Sequence, residues 1–116
     1  MKKENIIKTK SFDFAIEIVN LYKDLSIKRR EYVMSKQLLK SGTSIGANIR
    51  EAEFAQSKLD FISKMSISLK EANETDYWLD LLYKTDFIDK ETFQIFKLKS
   101  SEILKLLISI VKSSKN

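Results

Sequence analysis

Cysteine, histidine and proline are absent from this 116-residue chain, and glycine occurs only twice, at Gly42 and Gly46. Without cysteine there is no disulfide and no thiolate nucleophile; without histidine, the Glu-x-x-His sites of di-iron bundles, the usual zinc ligand sets and His-assisted nucleophiles are out of reach. Helical ribonucleases that depend on a histidine are disfavoured on the same ground. The N-terminus lacks the apolar run of about 7–15 residues that marks a signal peptide, and no stretch approaches the roughly 20 apolar residues of a membrane span. The chain is therefore expected to be soluble and cytoplasmic, with no metal, no cofactor and no membrane partner.

The missing proline and scarce glycine also bear on fold, because strands joined by turns normally recruit both residue types. An all-α chain is the economical reading. With 43% hydrophobic and 32% charged residues, the composition is that of one globular domain spanning residues 1–116. The net charge of +5 is unevenly placed: residues 1–58 hold twelve Lys/Arg against seven Asp/Glu, whereas residues 59–116 hold nine of each. The basic excess lies in the first half, which permits nucleic-acid or acidic partners.

After a lysine-studded lead (Lys2, Lys3, Lys8, Lys10), helical periodicity runs through Ile7, Phe14, Ile18, Tyr22 and Leu25, widened by Phe12, Ile16 and Val19. It pauses at Ser26-Ile27-Lys28. It restarts with Tyr32, Val33, Leu38, Leu39, Ile45, Ile49 and Ala52. Ser57 with Asp60, and Asp89 with Glu91, have the form of helix N-termini, with Ile88 and Phe93 at hydrophobic-staple positions. The helices are expected at about residues 5–25, 28–55, 58–85 and 90–113. Joined by such short connections, they pack as an antiparallel up-down-up-down four-helix bundle. Apolar residues left over on helix four (Ile95, Leu98, Leu106, Ile108) and helix three (Phe61, Trp78, Tyr83) point to self-association.

The middle of helix two is unusual. Gln37, Ser41, Ser44 and Asn48 recur at steps of four, three and four, so they share one face and are expected to form a structural polar network with Glu71 or its neighbours on helix three. Gly42 and Gly46, one turn apart, leave room for close packing by another helix. The run between them lacks the lysine of a phosphate loop and does not follow a strand. The carboxylates Glu71, Glu74, Asp76 and Asp80 have Lys70 among them and no facing acidic partner, so no catalytic residue is assigned and no enzyme is expected.

Ser44-Ile45-Gly46-Ala47-Asn48-Ile49, preceded by Gln37 and followed by Glu51, then Lys58-Leu59-Asp60-Phe61-Ile62 and Lys70 to Thr75 running into Tyr77-Trp78-Leu79, resemble the small bacterial four-helix bundle proteins encoded by intervening sequences in large-subunit ribosomal RNA genes. The resemblance covers Ile6 to about Ile88. Relatives of that family include the accessory proteins of diversity-generating retroelements, so the resemblance implies a homopentamer, nucleic-acid binding through a basic surface and a reverse-transcriptase partner. Arg50 and Ala52 depart from the commonest pattern of that family, in which an acidic or small residue and a glycine stand there. Read from the residues, Arg29, Lys36, Lys40 and Arg50 lie near one stripe of helix two, with Lys28 and Arg30 beside them. The expected function is sequence-independent binding to RNA or DNA backbone, with a protein-interaction scaffold as the alternative.

Overall fold

A computed structural model describes residues 3–116, so Lys2 of the basic lead lies outside the described residues. Four helices occupy most of the chain: α1 (Lys3–Ile27), α2 (Met34–Ala52), α3 (Lys58–Lys84) and α4 (Lys90–Ser114). Each packs against its neighbour in sequence, and α1 closes the ring on α4; among the described residues no close backbone approach links a diagonal pair. The result is an all-α antiparallel bundle of 44 × 21 × 21 Å.

The core follows directly from helical spacing. Ile7, Phe14, Ile18, Leu21 and Leu25 of α1 are buried and meet Leu38, Ile45 and Ile49 of α2, Met65, Ala72, Leu79 and Leu82 of α3, and Phe96, Ile103, Leu107 and Ile110 of α4. Phe14 and Phe96 tilt against each other with centroids 6.1 Å apart. Phe61, Trp78, Tyr83 and Leu106, read from sequence as surplus apolar residues, are partly buried against this core. Phe12 and Ile16, placed by periodicity on the apolar stripe of α1, face outward at 53% and 48% exposure.

The seams differ in character. Between α2 and α3 the contacts include buried hydroxyls: Ser68 donates to the Ile45 carbonyl at 2.8 Å. Between α3 and α4, Ser100 donates to Asp76 at 2.6 Å and the Tyr83 and Phe93 rings stack at 4.2 Å. The α1–α4 seam is the loosest. A crevice of 220 Å³ opens there over Phe14 and Ile103. Two ion pairs cross it, Lys10 to Glu102 at 2.8 Å and Lys99 to Glu17. The hydrogen bond from Lys10 holds the Glu102 carboxyl below its ordinary value.

Two helix starts are capped as expected. The Ser57 side chain accepts from the Asp60 amide at 3.0 Å, and Asp89 accepts from the Thr92 amide at 2.8 Å. That amide bond lowers the Asp89 carboxyl below its ordinary 3.8. A depressed carboxyl contributes stability that is fully present above the unfolded value and lost as pH falls through the folded one. Asp89→Asn keeps a capping oxygen but removes the titrating group. Its urea midpoint is expected to match the wild type at pH 7 and to fall less between pH 5 and pH 3; an equal fall in both proteins would show that this cap does not contribute to the acid limb.

Helix two departs from its expected bounds. It begins at Met34, not Lys28, and ends at Ala52, not Ala55. Arg30 adopts a left-handed backbone (φ 53°), which stops α1 from running on. The Glu31 carboxylate then turns back over the N-terminus of α2, accepting from the amides of Val33 (3.2 Å), Met34 (3.1 Å) and Ser35 (2.7 Å). Ser35 returns its hydroxyl to the Glu31 carbonyl. Tyr32 and Val33, assigned by periodicity to the apolar stripe, are therefore exposed in the connection. Past Met34 the helix runs without interruption through both glycines.

Candidate nucleic-acid interface

The inner side of α2 fixes where its outer side points. An added Cβ at Gly42 would lie 2.8 Å from both Cγ1 and Cγ2 of Ile18, closer than carbon atoms can approach. At Gly46 the nearest atoms are those of Ser11 at 3.4 Å, an ordinary contact. The glycines let α1 settle directly on the α2 backbone. Ser41 is buried against α3, 3.1 Å from the Thr75 hydroxyl, which also lies 2.8 Å from the Glu71 carbonyl.

The polar row separates around that contact. Ser41 alone among the four reaches another helix. The Ser44 hydroxyl donates to Lys40 O and the Asn48 amide to Ser44 O, both within α2. Gln37 is exposed. Glu71 contributes its main-chain carbonyl, while its carboxyl stands at the α2–α3 surface, where partial burial and then Glu74 raise it above its ordinary value and Lys40 opposes them. The four-residue polar row thus resolves into one buried hydroxyl pair, two local helix bonds and an exposed Gln37.

The outer side is basic. Lys36, Lys40 and Arg50 are exposed on α2. None stands within ion-pairing distance of a carboxylate among the described residues. The Arg50 guanidinium lies 5.6 Å from the centre of the Phe12 ring. Beside it runs a groove of about 390 Å³ floored by Ala15, Thr43, Gly46 and Ala47. Both carboxylates within residues 28–52 are already engaged, while the Glu71 carboxyl near Lys40 and Asp13 near Arg50 border the stripe. Glu51 pairs with Lys64 at 3.2 Å, and Glu31 is occupied by the amides it caps.

Arg29 does not share that stripe. Because α2 starts later than expected, Arg29 sits in the connection, donating to the carbonyls of Asp86 (2.8 Å) and Phe87 (3.0 Å) with its guanidinium 5.4 Å from the Phe87 ring centre. It ties the α1–α2 connection to the α3–α4 connection. Its neighbour Arg30 is exposed and has no carboxylate partner among the described residues, and Lys28 makes one long exposed contact, 3.4 Å, with Asp24. Sequence reasoning places this connection at Ser26-Ile27-Lys28, whereas it runs on to Val33, and a signal of its extent is present. Four successive charged residues, Lys28 to Glu31, sample every face of a helix and leave no apolar stripe to bury.

No group of acidic side chains suited to hold a metal occurs among the described residues, and no helix there is long and apolar enough to cross a membrane. Residues 3–109 match the family described as 23S rRNA-intervening sequence protein. No curated protein matches the chain. A crystal structure of a protein of unknown function from the S23 ribosomal protein family of Bacteroides thetaiotaomicron superposes with a TM-score of 0.94 at 60% identity, covering 96% of this chain and 99% of that one.

Proposed function

Since the chain belongs to the 23S rRNA-intervening sequence protein family, we propose for it a role that needs no catalytic group: an oligomeric bundle that binds the phosphate backbone of RNA or DNA through the outer face of α2. The observation that carries this reading is a charge imbalance left uncorrected by the fold. Residues 28–52 hold six Lys/Arg against two carboxylates. Of those two, Glu31 is turned inward as a cap and Glu51 is paired. Lys36, Lys40 and Arg50 present their charge to solvent, where phosphate can displace counterions.

Assembly is supported by apolar side chains that the bundle leaves uncovered, including Phe12 and Ile16 on α1 and Ile95, Leu98 and Ile108 on α4. A ring of subunits, a pentamer on the family resemblance, multiplies the basic face around an axis and strengthens its field. The second reading, a scaffold for a partner enzyme such as a reverse transcriptase, draws on the same apolar residues.

Fluorescence anisotropy with a generic structured RNA tests the proposal. Affinity is expected to drop steeply between low and physiological salt. Exchanging Lys36, Lys40 and Arg50 for Glu together is expected to weaken binding at least about tenfold and to lower the salt slope by about three. Absence of binding at low salt overturns backbone recognition in favour of the scaffold, and a clean monomer in light scattering overturns the assembly.

A further inference from the structure

We propose that the turn between α1 and α2 is a stacking site for an unpaired base, so that the protein prefers single-stranded nucleic acid to duplex. The inference rests on the backbone-binding reading above and gives it a substrate class. Glu31 is drawn inward by three amides, and its neighbours on either side, Arg30 and Tyr32, stand exposed. Tyr32 is 57% exposed, and the aliphatic Ile27 and Val33 that frame the turn are 74% and 73% exposed. A seven-residue segment thus presents one aromatic ring and two apolar side chains, with its only acidic group withdrawn.

Cations lie close to Tyr32 in the chain. Lys28 and Arg30 lie in the turn itself, and Lys36 lies within the first turn of α2. An aromatic face among such cations is the combination by which proteins hold single strands, because every unpaired base offers a π-face while its backbone needs neutralising. Bases inside a duplex offer no such face. The turn is also held in place before any ligand arrives. Glu31 fixes it to α2, and Arg29 fixes it to the carbonyls of Asp86 and Phe87. A platform already ordered loses little conformational freedom on binding. Tyr32 lies outside the core, so burial of its own ring does not account for its place.

The test uses the full chain and two labelled probes, an unstructured RNA strand of mixed sequence and the same strand annealed to its complement. The wild type is expected to bind the single strand more tightly, and Tyr32→Ala to weaken that binding by about fivefold or more, the loss that one stacked base entails. Duplex affinity and the salt slope are expected to stay unchanged, and Tyr32→Trp to restore single-strand binding. Equal affinity for both probes with no effect of Tyr32→Ala overturns the stacking site. If exchanging Lys36, Lys40 and Arg50 for Glu still weakens both, backbone recognition survives that failure. Absence of binding to either probe overturns both readings. A change in light scattering caused by Tyr32→Ala assigns the ring to a subunit contact and overturns the stacking site as well.

Discussion

Glu31→Ala is expected to lower the free energy of unfolding by about 3 kcal/mol, because it deletes a charged acceptor for several helix-terminal amides at once. The three amides of Val33, Met34 and Ser35 donate to one carboxylate at 2.7 to 3.2 Å, and Glu31 is only 9% exposed, so water cannot fully replace it. Its charge also faces the positive end of the α2 dipole. For a chain of this length the loss corresponds to a fall in Tm of roughly 10 °C. Glu31→Gln, which keeps an acceptor but not the charge, is expected to lose about half as much. Urea unfolding followed by circular dichroism measures both, and a loss below about 1 kcal/mol for the alanine variant would mean that the N-terminus of α2 is held by something else.

The second large effect concerns the glycines, and the two are expected to behave differently although they stand one turn apart. Gly42→Leu is expected to destabilise by about 3 kcal/mol, since even its Cβ would meet two carbons of Ile18 at 2.8 Å. Ile18 is β-branched and fully buried, so it has few rotamers in which to retreat. Gly46→Ala meets only ordinary contacts at 3.4 Å. There the better helix propensity of alanine, up to about 1 kcal/mol over glycine, is expected to leave stability equal or raised. Comparable destabilisation by both variants in urea titrations would show that the two positions bear the same packing, contrary to the distances.

Most of the architecture was legible because it rests on repetition. The spacing of Ile7, Phe14, Ile18 and Leu25, the missing prolines and the capping residues Ser57 and Asp89 fixed the number and direction of the helices. The start of α2 was not legible in that way. Tyr32 and Val33 continue an apolar phase, and only a side chain reaching back from Glu31, with a left-handed Arg30, removes them from the helix. A periodicity cannot register a single carboxylate that substitutes for a turn of helix. The same limit applied to the candidate interface. The spacing of Lys36, Lys40 and Arg50 carries them to one exposed side of α2, whereas Arg29 sits in the connection on the carbonyls of Asp86 and Phe87. The row from Gln37 to Asn48 had the right composition for a network, but each short polar side chain can also bond its own helix, and Ser44 and Asn48 do so.

The α1–α4 seam has a consequence for how the chain reaches its fold. The other three seams join helices adjacent in sequence, each pair linked by a connection of a few residues, so their closure restricts little chain. Lys10 and Glu102 are 92 positions apart, and bringing them together closes a loop of nearly the whole molecule. The largest loss of chain entropy therefore falls on the seam with the loosest packing and the most solvent-exposed pairs. In folding terms, three hairpins assemble from near neighbours, and the long-range step is left to the contact with the least attraction to offer.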